Sequence, residues 1–373
     1  LSLGTAIQSG YAPQNLGIAR ILFEISKVII AFYLVVTLRM GLIGAFISLS
    51  IAYLIQAAIL LQRSRPLLQR RVSRELVVKW VKGAPINTAR IISNVLGATD
   101  IILMSMITGQ AMIAGYWRAA VAASALVASS SALMTGLGPR LISGGSQRDL
   151  DKTFDFTVMI VLPMLFGFTV LSRDILWILR PAYSSVWMAA CLLALAGVIR
   201  TLGSFGAVAV SGMDRFDQVD ELSMREYLKS RIFALNKLNL VVTTLYVAAV
   251  AVYLLVFGKA SIVELITSIA GINLLFAMIR SIINLNLMRR FTELRLNLKN
   301  LPHYLTASTI MTAIVYMIRL RIGPIPARAI EAAPPILILV IVGAITYTII
   351  LYLISRQFRN FLKDFYAFLA QYL

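Results

Sequence analysis

Along this chain, apolar runs long enough to cross a membrane alternate with short polar segments from one end to the other. Crossing a hydrocarbon core of ~30 Å as a helix takes about 20 mostly apolar residues. A helix is favoured because it satisfies every backbone N–H and C=O within its own segment. Runs of that kind occupy residues 16 to 37, 41 to 61, 86 to 108, 112 to 135, 154 to 172, 184 to 210, 238 to 257, 262 to 284, 304 to 320 and 334 to 355. They predict an all-α, polytopic membrane helix bundle with about ten transmembrane helices.

Polar positions inside those runs make the second pattern. The stretch "GATDIILMSMITG" places Asp100 in an otherwise apolar segment. A carboxylate at that depth costs several kcal/mol unless it is paired, protonated or facing water. At 100° per residue, Asn87, Arg90, Ser93, Asn94, Asp100, Ser105 and Thr108 share a sector of roughly 140° of one continuous helix. Asn273, Arg280 and Asn284 form a narrower stripe in the eighth run, and Arg200, Ser204 and Ser211 share a face in the sixth. Arg20, Glu24 and Lys27 in the first run follow spacings of four and three, at which helical neighbours partly neutralise one another. Four polar faces suit a water-filled cavity between helices.

Charge gives that cavity a sign. The striped cations Arg20, Lys27, Arg90, Arg200 and Arg280 outnumber Glu24 and Asp100 five to two. Four of the five are arginines, whose planar fork matches phosphate and carboxylate oxygens. Such a lumen favours anions. Arg20 and Arg280 are equally suited to reaching the headgroups with their long stems.

Composition narrows the class further. With 59% hydrophobic and 14% charged residues and a mean hydropathy of +0.84, the 373-residue chain is too apolar for a water-soluble domain. Its net charge of +19 does not point to nucleic acid, because the cations are distributed by side of the membrane. Segments 63 to 82, 137 to 153, 213 to 237, 286 to 303 and the tail from 356 hold 22 of the 35 Lys and Arg residues. The opposite connections hold Arg39, Arg173, Arg180, Lys259, Arg319, Arg321 and Arg328. The positive-inside rule then puts the first set, and both ends of this chain, in the cytoplasm of a cell (plasma) membrane protein. Cys191 and His303 are the only residues of their types, so thiol or imidazole chemistry has little to work with, and neither a metal nor a cofactor is expected.

Several stretches resemble polysaccharide and lipid-linked oligosaccharide flippases of the multidrug, oligosaccharidyl-lipid and polysaccharide exporter superfamily. "DIILMSMITGQAMIAGYWRAA" is similar to their seventh-to-eighth helix signature, an Asp and an apolar turn followed by Gly115, Tyr116 and Ala119. "GLGPRLISGG", "LSRDILWILRPAYSSVWMAACLLALA" and "GLIGAFISLSIAYLIQAAILL" resemble further pieces in the right order. The resemblance implies a two-lobed fold in which these helices correspond to the fifth to fourteenth, with four preceding ones. Residues 1–62 would then be the remainder of an N-terminal lobe (two helices), and 63–85 a basic cytoplasmic linker. Residues 86–290 would be a six-helix C-terminal lobe, and 291–373 two additional helices with an interfacial tail.

It also implies passage of a polyprenyl-diphosphate-linked glycan from inner to outer leaflet by alternating access. The residues expected to bind it are Arg20, Arg90, Asn94, Arg200, Asn273 and Arg280. Asp100 and Arg118 are expected to gate the cavity as an ion pair or, for Asp100, to couple transport to an ion. The expected partners are the glycan substrate, membrane lipids and glycan-assembly proteins, not nucleic acid. Three other readings remain: a drug or cation exporter of the same superfamily, which would gather acids in its cavity; a transport-inactive scaffold for glycan assembly; and a membrane enzyme. The enzyme is disfavoured because the outer connections are short and hold no His or Cys.

Overall fold

The structure is a computed structural model that describes residues 13–68, 88–134, 146–212, 230–291, 298–323 and 329–359, with positions 4, 5, 8, 74, 137, 296 and 326 between them. All regular structure among the described residues is helical, as the apolar periodicity requires. The helices are α1 (Pro13–Ala31), α2 (Gly41–Leu68), α3 (Thr88–Gly97), α4 (Asp100–Thr108), α5 (Ala111–Ala128), α6 (Gln147–Leu179), α7 (Trp187–Gly212), α8 (Arg231–Phe257), α9 (Ile262–Phe291), α10 (Leu301–Arg321) and α11 (Ala329–Ile354). Nine segments among the described residues are long and apolar enough to cross a membrane, with α3 and α4 together making one of them. The protein is a multi-pass membrane protein. Its helices leave large apolar side chains such as Met106, Leu255 and Leu353 exposed, which suits hydrocarbon surroundings.

The chain divides into two compact units, Leu1–Lys82 and Gly83–Leu373. Their boundary falls inside the 63–85 linker, most of which lies outside the described residues.

In the first unit α1 packs on α2, with the Phe23 and Tyr53 rings 4.8 Å apart and Ala19, Phe23, Ala52 and Leu60 buried. Arg20 pairs with Glu24 at 2.8 Å and Lys27 pairs with the same carboxylate, as their spacing predicts. These three charges, more than any lack of apolar residues, separate the 16–37 segment from the other nine. Beyond α1, a wide helical turn over Phe32–Thr37 leads to Arg39 and Gly41, both with positive φ (51° and 54°). The left-handed conformation is free of strain at Gly41 and strained at Arg39.

In the second unit α7 is central, packing on α5, α6, α8 and most extensively α9. On one side α8 carries α3 and α4; on the other α6 carries α10 and α11. The α7–α9 approach is a matter of missing side chains. A Cβ at Gly203 would collide with Ser281, and one at Gly206 with the Asn284 carbonyl, so the backbones touch as small residues allow in membranes.

Two segments differ from their expected form. The 86–108 run is broken at Ala98 and Thr99 between α3 and α4. Thr99 Oγ1 donates to the Leu96 carbonyl at 2.7 Å, drawing off a backbone acceptor, and polar side chains of this kind compete with the helical ladder. The roughly 140° stripe, computed for an unbroken helix, therefore splits in two. The 154–172 run lies within the longer helix α6, which starts at a capping box between Ser146 and Asp149 and continues past Asp174. Near its end Arg319 holds Asp174 in a two-pronged ion pair (Nε–Oδ2 2.6 Å, Nη2–Oδ1 2.8 Å). The predicted interfacial tail beyond 359 lies outside the described residues.

Candidate functional site: a polar cluster among four apolar segments

The break between α3 and α4 positions Asp100 at the start of α4. Its Oδ1 accepts the Ile101 backbone N–H at 2.7 Å, and its Oδ2 accepts the Tyr246 hydroxyl at 3.2 Å from α8. Tyr246 is buried, with its ring edge-on to Phe276 of α9 at 5.9 Å. Asn273 of α9 adjoins the same hydroxyl, and its Oδ1 accepts Arg200 Nη1 of α7 at 3.0 Å. Asp100, Tyr246, Asn273 and Arg200 thus form one polar chain across four transmembrane segments.

A second chain lies one helical turn away. Thr243, three residues before Tyr246, meets Ser93 of α3 at 2.9 Å. Thr243 Oγ1 also accepts Arg280 Nη2 of α9 at 2.5 Å. The Arg200 charge acts on Arg280, so the two guanidiniums are electrostatic neighbours held in place by neutral partners. Arg280 Nε, Asn239 Oδ1 and Asn284 Oδ1 are buried without a protein partner. Leaving such groups unsatisfied costs about 1–3 kcal/mol each, so they are placed to bond water or a hydroxylated ligand.

The close α7–α9 contact is what holds this geometry. Gly203 and Gly206 seat α7 on Ser281 and Asn284, and Ser281 Oγ donates to the Ile199 carbonyl at 2.8 Å. Arg200 is thereby fixed beside the Asn273 and Arg280 face of α9. A larger residue at Gly203 would push that face away.

The structure brings together Asp100, Arg200, Asn273 and Arg280 of the expected residues. Asn94 is exposed on α3 and takes no part in the hydrogen bonds of the cluster. Arg90 lies on α3, and its side chain is outside the described set. Arg20 belongs to the other unit, where Glu24 holds it. Arg118 is exposed on α5; its charge acts on Asp100, but the two form no ion pair among the described residues, and the Tyr246 hydroxyl donates to the carboxylate. Within the resemblance motif, Tyr116 packs edge-on against Tyr183 at 5.1 Å, and a Cβ at Gly115 would come within 3.2 Å of the Tyr183 hydroxyl.

Sequence reasoning missed Tyr246 and Thr243. Asn239, Thr243 and Tyr246 follow spacings of four and three on α8, a polar face that an average over an apolar run conceals. It also scored Arg319 only as a topology marker. Comparison of the chain with family models, with curated proteins and with solved structures returned no match.

Proposed function

We propose that the protein moves a polyprenyl-diphosphate-linked oligosaccharide from the inner to the outer leaflet, its charged head passing the Arg200 and Arg280 face by alternating access. The observation that carries this reading is a pair of neighbouring arginines, held only by an amide and a hydroxyl, inside apolar helices. Unpaired guanidinium donors suit diphosphate oxygens, and Asn239 and Asn284 offer acceptors to sugar hydroxyls. A cation exporter would need the opposite balance of charge.

Asp100 fits a coupling role better than a gate with Arg118, because its hydrogen-bond partners are a neutral hydroxyl and a backbone N–H, while Arg118 acts on it through charge alone. A carboxylate so held can exchange a proton without breaking an ion pair. Cells lacking the protein should accumulate lipid-linked glycan on the inner leaflet. Full-length protein with Arg200→Gln and Arg280→Gln should fail to relieve that accumulation while still reaching the membrane. Normal delivery of glycan to the outer leaflet in the protein's absence would refute the proposal.

A further inference from the structure

A second site lies on the far side of the second unit, among α6, α10 and α11. The ends of these three helices that the charge pattern assigns to the cation-rich side come together around a polar cavity of about 850 Å³. Two carboxylates face it, and neutral amides satisfy both. Asp155 Oδ2 accepts Gln357 Nε2 at 2.8 Å and both Asp155 oxygens accept Asn300 Nδ2 at 3.2 Å, while Asp151 accepts Gln147 Nε2 at 2.7 Å. Three of the cavity's cations, Arg148, Lys152 and Arg356, are left outside ion pairs among the described residues.

An apolar cavity of about 570 Å³ begins one helical turn deeper in the membrane. Pro163 and Gly167 of α6, Met311 and Val315 of α10, and Gly343 and Tyr347 of α11 line it. The two cavities share their walls. Asp155 and Met159 are successive turns of α6, and Gln357 faces the polar cavity while the adjacent Phe358 faces the apolar one. The Tyr347 hydroxyl donates to the Met159 carbonyl at 2.7 Å at their boundary. Unpaired cations at headgroup depth above an apolar slot match an amphiphile with a phosphate at one end and a hydrocarbon chain at the other.

We propose that α6, α10 and α11 hold one anionic glycerophospholipid of the surrounding leaflet. Its phosphate sits against Arg148, Lys152 and Arg356, and an acyl chain fills the slot beside Gly167 and Gly343. The site is independent of the polar cluster and of the transport reading. It adds a lipid as a resident component that ties α10 and α11 to α6.

The test uses the full-length protein in detergent micelles, with dioleoylphosphatidylglycerol or dioleoylphosphatidylcholine added and retained lipid counted by native mass spectrometry. One phosphatidylglycerol per chain should survive detergent exchange, and phosphatidylcholine should not. Arg148→Gln with Lys152→Gln and Arg356→Gln should weaken retention of phosphatidylglycerol about a hundredfold, on the scale of the contribution of each basic residue near an anionic surface. Gly167→Phe should weaken it through the slot alone, with Ala344→Phe in its place if that variant does not fold. Equal retention of the two lipids, or full retention by the triple variant, would overturn the proposal. So would thermal stabilisation by millimolar inorganic phosphate as large as that by phosphatidylglycerol, because the site would then take free phosphate.

Discussion

The two sides of the second unit hold charge in opposite ways. Between α6 and α10, Asp174 and Arg319 meet fork to fork, and the remaining Arg319 Nη1 donates to the Ile322 carbonyl at 3.0 Å. The pair is saturated. Between α7, α8 and α9, Arg200 and Arg280 meet one amide oxygen and one hydroxyl, and Arg280 Nε keeps a buried donor unused. Both arrangements place arginine in apolar helices, yet only the second has hydrogen-bonding capacity left for something else. The difference separates a charge that holds helices together from a charge that can serve a ligand.

The contrast can be broken most forcefully at the saturated pair. Arg319→Leu should destabilise the protein by about 3 kcal/mol, because the buried Asp174 is left uncompensated, and Asp174→Asn by less, because Arg319 is part-exposed. Asp174→Arg with Arg319→Asp should recover much of that loss in a denaturant titration. A cost below about 1 kcal/mol for both single variants would mean that the pair is solvated and the contrast false.

A smaller effect is expected where α7 touches α9. Gly203→Val should cost about 1–3 kcal/mol by overpacking against Ser281 and should reduce transport beyond its effect on folded yield. Wild-type transport per folded molecule would show that the α7–α9 approach does not position Arg200.

Tyr246→Phe removes the one side-chain donor to Asp100 among the described residues and should lower stability by about 1 kcal/mol. If Asp100 couples transport to an ion, the dependence of transport on pH should also move. A variant that changes stability alone would leave Asp100 with a structural role.

The smallest stability change should come from the open cluster itself. Arg200→Gln and Arg280→Gln should each alter stability by less than about 1 kcal/mol, since their partners are neutral and a glutamine can serve them. Under the proposed function, their effect should fall on glycan delivery instead.

Most of the helices were legible because the bilayer demands about 20 apolar residues per crossing, and that demand is written directly in the sequence. Asp100, Arg200, Asn273 and Arg280 were legible for the complementary reason, that polar groups at bilayer depth need a cause. What was hidden depended on partners. Tyr246 scores as an apolar residue until its hydroxyl is seen beside Asp100. Asp174 looked like a loop residue following the fifth run, because the arginine that neutralises it lies 145 positions later. The break before Asp100 arises from Thr99 bonding to Leu96, a local choice that leaves no gap in the hydropathy pattern.

The claim that the α7–α9 face is wet and attracts anions can be measured without knowing the substrate. A single cysteine at Ser204, one helical turn from Arg200, in a Cys191→Ala background can be challenged with negatively and positively charged methanethiosulfonates of similar size. The anionic reagent is expected to react faster, and Arg200→Gln with Arg280→Gln should abolish that preference. No reaction with either reagent, or a faster reaction with the cationic one, would contradict the claim.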